Sequence, residues 1–597
     1  MGPSGSGKSS LLNLLTLAAT NGEIYGEVTI NGHKISSKRF RKFCAYVPQE
    51  DHLCPFLKCR EILEYAMDFY LPVEADTKAK RVDSLLKDLG LESCQNTFCG
   101  NQFLKGLSGG QKRRLSLAVA LAKEPLILFL DEPTSGLDSA ATSEIVAVLK
   151  KIKIEKQIIV ICTIHQPSTR VFNEFDSILL LSSGRVAYFG PTSGASQYFQ
   201  AMGYVIPKDV SPPEYMLDLV NSDFGGEGKK QQVCAILNAW KAKAAAQRSD
   251  LVDPSLGSTT DLPNKSLPGV SFARQVLVHL RRQALLSVRD PTLYVSRFVI
   301  FFVSCVFFAW VYSKARDRTQ EEVTDRMFLT VWMIAVPSCM GTIAVFSFNH
   351  EFLGMRREIK DGMYSPWAYI ISNALLQVPF MVLLSLSALL VGAYGIALFE
   401  ISGFGRMLLV FSAALWAFEA MAQAMGALFP NPLVGMLAYL FLWFTSFLFA
   451  GFFIVGEGIP WPLKVFLYVL PLRWSIASMV KTEFRWSTFE GAQLAPAAAG
   501  SPYSGFTCTA PAAARQVCFG RTGEQVLWSL SQSFTSFDPA QETFGTDVAC
   551  LVGIGLFFKL VFVALFLAGV RHGRQPSRPG QPYSTMPNVS DSTLMDE

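Results

Sequence analysis

Residues suited to holding a polyphosphate open the chain. Gly2-Pro3-Ser4-Gly5-Ser6-Gly7-Lys8-Ser9 has the spacing G-x-x-x-x-G-K-[ST]. Glycines let the backbone curl until successive N–H groups aim at one anion. Lys8 supplies charge to the outer phosphates, and the Ser9 hydroxyl is a ligand for Mg²⁺. The helix expected next turns its positive end to the same charge. A second stretch, Leu107-Ser108-Gly109-Gly110-Gln111, also joins glycines and a hydroxyl at a helix start. Asp131-Glu132 closes the apolar run 126–130, where a carboxylate that holds Mg²⁺ belongs. Each residue also has a plainer use: Asp131 as a helix cap, Glu132 as a surface carboxylate, His165 as a structural histidine. Their convergence outweighs any one motif.

The elements that must position these groups alternate in type through the first half of the chain. Leu11, Leu12, Leu14 and Leu15 start an apolar helix behind the loop. Residues 27–32 read as a strand closing in a turn, and 45–49 as a strand ending at Gln49. Residues 60–100 are mostly helical, and 107–111 opens a helix with Leu115, Ala118, Val119 and Ala122 at helical spacing. The uninterrupted apolar runs 126–130 and 158–163 are of the kind buried on both faces of a parallel sheet. Ser135-Gly136-Leu137-Asp138 is a turn, and the second run ends near His165.

In these residues the chain resembles an ATP-binding-cassette transporter. Residues 2–9 match the Walker A loop, Gln49 the Q-loop, 107–111 the signature loop, 126–132 Walker B, 135–138 the D-loop and His165 the H-loop, in the family's order. Thr163-Ile164-His165-Gln166-Pro167-Ser168, and an ATPase domain ahead of the membrane domain, resemble the G subfamily, the white/brown-complex type. The resemblance implies ATP and Mg²⁺ as cofactors. Gly2, Ser4, Gly5, Gly7, Lys8, Ser9 and Ser10 would bind the phosphates, and Ser9, Gln49 and Asp131 would hold the Mg²⁺ shell. Glu132 would polarise the attacking water, His165 would contact the γ-phosphate, and Gln49 would also report to the membrane domain. Ser108, Gly109, Gly110, Gln111 and Asp138 would cap the ATP of a second ATPase domain, so a dimer with another half-transporter is implied. In the family, strands precede the loop and an aromatic residue stacks on adenine. Neither is found before Gly2, so a longer natural chain is expected, and weak ATP binding at Lys8 for the chain as written.

The second half is built for a membrane. Of 597 residues 50% are hydrophobic and only 17% charged, because long uncharged runs fill the C-terminal part. Six spans are expected, at 298–313, 327–349, 369–393, 407–429, 433–455 and 548–570. Arg356, Arg357 and Lys360 after the second span, and Arg571, Arg574 and Arg578 after the sixth, mark the cytosolic side. Prolines 460, 462 and 471 break residues 451–478 into re-entrant or interfacial pieces. Glu419 lies inside the fourth span, bonded to a neighbouring helix or functional. Phe444, Phe447 and Phe449 are candidates for a hydrophobic path. Cys508 and Cys518 are placed to form a disulfide if their segment lies outside.

The expected organisation is therefore an α/β phosphate-loop ATPase domain with a parallel-sheet core and a helical subdomain at 1–220, followed by an all-α six-span domain at 298–570. A solvated linker containing one amphipathic helix would occupy 221–270, a cytosolic connecting helix 271–297, an external segment 456–547 and a disordered cytosolic tail 571–597. A net charge of +5 over this length argues for no nucleic-acid partner. The expected activity is ATP-driven export of hydrophobic cargo (lipid, sterol or xenobiotic), from the plasma membrane or an internal one. The alternative is a catalytically impaired partner subunit, or a fragment of such a transporter.

Overall fold

The computed structural model describes residues 1–597 apart from 18–24, 27, 31–32, 35–39, 41, 73, 102–103, 208, 223–225, 252–268, 291–293, 454–458, 495–505, 509–517, 533, 535–542 and 572–597. The expected tail, most of the linker's second half and the centre of the external segment therefore lie outside the described residues.

A short antiparallel hairpin, β1 (Thr29–Ile30) with β2 (His33–Lys34), precedes a parallel sheet of β3 (Cys44–Val47), β4 (Ile127–Leu130) and β5 (Ile159–Cys162) in that spatial order. Alternation along β4 divides the core. Leu128 and Leu130 face one hydrophobic cluster, and Phe129 joins Leu12, Phe40 and Phe43 in another. α1 (Lys8–Leu15) brings Leu12 to the second face. Between β3 and β4 the chain is helical, with α2 (Cys59–Tyr70), α3 (Ala75–Asp88) and α4 (Gly109–Leu121) packed through Leu63, Leu86, Leu115 and Ala118. α5 (Ser139–Lys156) links β4 to β5. Because the strands are parallel, Gln49, Asp131, Glu132 and Thr163 emerge at one edge of the sheet, where α/β folds bind ligands.

The linker is not all linker. α6 (Gly226–Leu251) buries Val233, Ile236, Leu237 and Trp240, spaced i, i+3, i+4, i+7, against the antiparallel pair β6 (Ser177–Ser182) and β7 (Arg185–Pro191). Trp240 stands 5.3 Å from Tyr188 and 5.4 Å from Tyr198, ring to ring. The expected solvated connector is thus, in its first part, a piece of the ATPase core.

The connecting helix, α7 (Phe272–Arg289), is shorter than the expected 271–297. Two of its basic residues are engaged rather than solvated: Arg289 pairs with Glu61 of α2 at 2.6 Å, and Arg282 holds both carboxylate oxygens of Glu358, at 3.0 and 2.9 Å. His279 is buried beside Phe69 and Tyr364, with no hydrogen bond to either ring nitrogen among the described residues. Burial, and then the Arg282 charge, push its pKa down to about 2. Below pH 6.5 the unfolded chain binds a proton that this folded imidazole refuses, so stability falls as the pH drops. At pH 5 the loss amounts to about 2 kcal/mol. His279→Leu is expected to shrink the stability difference between pH 7.5 and pH 5 by that amount, seen in thermal scans as a smaller gap between the two melting temperatures. An unchanged difference sinks the assignment.

Six apolar helices stand at the six expected spans. They are α8 (Ser296–Val311), α9 (Val323–Cys339) continuing into α10 (Gly341–Lys360), α11 (Pro366–Ala388), α12 (Phe404–Leu428), α13 (Pro432–Leu448) and the last helix Phe544–Arg571. Four are long and apolar enough to cross a membrane, while Ser296–Val311 and Pro432–Leu448 are shorter. The joint between α9 and α10 follows Pro337 and is clamped from α13, where Tyr439 donates to Ser338 O at 2.6 Å and Trp443 to Ser338 Oγ at 2.9 Å. Gly341 is required there, since a Cβ would lie 2.1 Å from the Tyr439 hydroxyl. The proline-broken stretch forms two short helices, α14 (Lys464–Val469) and α15 (Pro471–Phe484). α15 is held to α9 by a buried pair, Arg326 with Glu483 at 2.5 Å. Numbering the last helix (Phe544–Arg571) α16 completes the bundle.

Two buried ionic sites of the bundle are paired or caged. Arg297, expected in the connecting helix, lies in α8 and donates to both oxygens of Glu419, at 3.2 and 2.6 Å, with each side chain 3% exposed. Glu419 thus has its bond to a neighbouring helix. Lys559 of α16, not singled out in the sequence, donates to the amide oxygens of Asn373, Gln377 and Gln423 at 3.1, 2.8 and 2.6 Å. The aromatic trio forms no single path. Phe447 stacks on Trp443, Phe449 is buried near Phe466, and Phe444 alone points outward. Cys518 is disulfide-bonded; the side chain of Cys508 lies outside the described residues.

Candidate functional site

The glycine-rich loop turns into α1 through Gly5 and Gly7, at φ 73° and 92°, a region a Cβ disfavours. Gly7 is the N-cap of α1 and makes no side-chain cap bond, so the first N–H groups of the helix remain directed into the cleft. Ser4, Gly5, Gly7, Lys8, Ser9 and Ser10 line a cavity of about 700 Å³ together with Gln49, Glu132 and His165, which come from the ends of three strands. Gly2 stands behind the loop, and its carbonyl accepts from Lys8 Nζ at 3.0 Å, as Pro3 O does at 2.9 Å. Burial lowers the Lys8 pKa, against the opposing pull of Glu132 and Asp131.

Asp131 is the best-held group. Its Oδ1 accepts from Ser9 Oγ at 3.1 Å and from Thr163 Oγ1 at 2.6 Å, and its Oδ2 from Tyr46 OH at 3.4 Å. Thr163 Oγ1 in turn accepts from the Glu132 N–H at 2.8 Å. Glu132 has φ 43°, a strained position for a side chain, and its Oε2 accepts from Gln49 Nε2 at 2.9 Å. The oxygen pair Ser9–Asp131 is a donor set that suits Mg²⁺, and Lys8 with the uncapped helix start suits phosphate.

The remaining sequence-predicted residues stand apart from this cleft. Ser108 and Gln111 form a reciprocal capping box at the start of α4, with Ser108 Oγ accepting from Gln111 N and Gln111 Oε1 from Ser108 N, at 3.3 and 2.9 Å. Asp138 caps α5 by accepting from Ala141 N at 2.7 Å. A Cβ on Gly110 would lie 3.7 Å from Ala141, so these two loops adjoin each other. Ser108, Gly109 and Asp138 are exposed.

Sequence reasoning missed three groups. Thr163 was legible in principle: it follows Cys162, which pairs with Leu130, so it stands beside Asp131. Tyr46 looked like any strand aromatic. Arg113, buried on α4, differs in no visible way from its neighbours Lys112 and Arg114.

The ATPase edge also meets the membrane domain. Arg357 Nη1 donates to Glu50 O at 3.0 Å, next to Gln49, and Lys123 Nζ donates to Asp361 O at 2.7 Å in the turn after α10.

Residues 1–135 match the family model described as ABC transporter, and residues 274–484 and 165–230 match two described as ABC-2 type transporter. ABC transporter G family member 6 of Arabidopsis thaliana is 29% identical over 96% of this chain and 83% of its own length. ABC transporter G family member 5 of Oryza sativa subsp. japonica is 31% identical over 81% of this chain and 66% of its own. ABC transporter G family member 1 of Petunia hybrida is 31% identical over 81% of this chain and 78% of its own. The phosphate-binding edge of a parallel sheet, the helical membrane domain bonded to it and these likenesses over both halves agree: the chain belongs to the ABC transporter G family, an integral membrane protein whose ATP-binding ATPase domain drives transport across the membrane.

Proposed function

We propose that the protein exports hydrophobic compounds (lipid, sterol or xenobiotic) across the plasma membrane, as a dimer with a second half-transporter and with its ATPase domain in the cytosol. The observation that carries the dimer is the separation of the two phosphate-competent helix starts. Lys8, Ser9, Gln49, Glu132 and His165 share one cleft, whereas Ser108 and Gly109 are exposed outside it. A group able to cap an anion, yet turned away from its own chain's cleft, fits a second chain's nucleotide.

Water adds to the outer phosphorus of bound ATP as the bridging P–O bond breaks and ADP leaves, and Mg²⁺, when bound, would supply charge that stabilises the leaving oxygen. Ser9 and Asp131 are placed to hold the metal, and Lys8 to leave its loop carbonyls for the phosphates. Glu132, steered by Gln49, accepts a proton from the attacking water. His165, exposed at the rim, contacts the outer phosphate. A hydrophobic cargo is supported by the apolar bundle, in which the buried Arg297, Glu419 and Lys559 are already bonded to protein groups.

Ser108→Arg tests the dimer. It leaves the cleft intact, so nucleotide binding is expected to stay within about threefold while turnover falls about 100-fold. Hydrolysis at the normal rate by this variant, or by singly captured copies without a second half-transporter, overturns the reading. Sterols and phospholipids added to the protein in nanodiscs are expected to raise its ATPase rate; stimulation by ionic solutes alone overturns the cargo class.

A further inference from the structure

Outside the cleft lies a heavily bonded buried cation, Arg113, one turn inside α4 and 5% exposed. Its guanidinium reaches two different segments at once. Nη2 donates to Asp131 O at 2.7 Å and Nε to Pro133 O at 3.3 Å, so it grips the backbone on both sides of Glu132. Nη1 donates to Pro48 O, to Gln49 O at 3.4 Å and to Asp51 Oδ1 at 3.3 Å, so it also grips the backbone that carries Gln49. Gln49 and Glu132 are the two side chains that touch across the cleft, at 2.9 Å. One rigid, planar fork therefore sets the separation of the segments from which they project.

The same helix begins at the exposed Ser108 cap and, just past its other end, carries Lys123, which is bonded to Cys44 O and Asp361 O at 2.9 and 2.7 Å. A helix transmits displacement along its axis with little loss. We infer that Arg113 is a positioning residue for hydrolysis: when the Ser108 end of α4 engages a nucleotide, Arg113 carries that shift to Gln49 and Glu132 and brings the base into register. The inference rests on the reading of Glu132 and Ser108 given above, and it adds a route by which capping one nucleotide readies the cleft of the same chain.

Arg113→Met keeps the bulk of the side chain and removes every bond. The expected result in the full-length protein in nanodiscs is an ATPase kcat lowered 10- to 100-fold, with the ATP KM within about threefold. Arg113→Lys keeps charge but loses the fork and should recover less than a tenth of the lost rate. Asp51→Asn, which trims one edge contact and spares the backbone bonds, guards against misfolding: it is expected to cost 3- to 10-fold in kcat, and Arg113→Met/Asp51→Asn should be no slower than Arg113→Met. Normal kcat in Arg113→Met, full rescue by lysine, or a double variant whose losses multiply overturns the inference. Glu132→Gln measured alongside separates the failures. If it is inactive while Arg113→Met is normal, the positioning role alone falls; if it is fully active, the reading of the cleft falls and this inference with it.

Discussion

Glu132→Gln is expected to bind ATP within a few-fold of the unaltered protein and to turn it over about 10² to 10⁴ times more slowly. The substitution changes one oxygen for an amide. The Asp131–Ser9 pair, the Thr163 bridge and Lys8 are untouched, so the phosphate and metal determinants remain. Gln49 can still donate to the remaining carbonyl oxygen, which preserves the contact across the cleft. What is lost is a base able to accept the proton of water. Equilibrium nucleotide binding beside steady-state phosphate release, on the same preparation, separates the two. Loss of binding together with turnover contradicts the division of labour drawn here, as does turnover at the normal rate.

The second large effect is on stability. Glu419→Leu leaves the Arg297 guanidinium buried without its carboxylate, and breaking a pair of this kind costs about 3–5 kcal/mol. The double variant Arg297→Met/Glu419→Leu removes both charges and is expected to regain most of that loss, because the attraction mainly offsets the desolvation of the two ions. Thermal scans of the purified proteins in nanodiscs give the comparison. If the single and double variants melt together, the pair has no role in holding α8 to α12.

Those two sites differ in how far the chain announced them. An apolar run ending in two carboxylates can be read directly, because burial on both faces demands uninterrupted Ile, Leu and Phe. The loop, the strand ends and the glycine-rich start of α4 were legible for similar local reasons. Arg297 was not: a basic residue next to a span reads as a cytosolic flank, and only its partner, 122 residues away, turns it into part of the bundle. Lys559 was hidden in the same way, its three amides lying on two other helices. The apolar face of α6 shows a clear helical period, yet its surface is diluted by lysine and alanine, and nothing local reveals the Tyr188–Tyr198 floor it covers. Arg113 acts mostly through backbone groups, which leave no mark on residue type, and Thr163 meets Asp131 only through the register of β4 and β5.

The clamped joint at Gly341 has a mechanical meaning. α10 has 20 residues and spans about 30 Å, with its near end seated against Tyr439 and its far end next to the Asp361 turn that Lys123 grips. It is a lever whose fulcrum lies among the spans and whose load end rests on the ATPase. A swing of about 10° at the fulcrum carries the load end about 5 Å, roughly one helical pitch. Displacements of a few ångströms at the nucleotide cleft are thus commensurate with small rotations deep in the bundle, and the length of one helix sets the gearing between them. Any side chain at position 341 wedges that fulcrum.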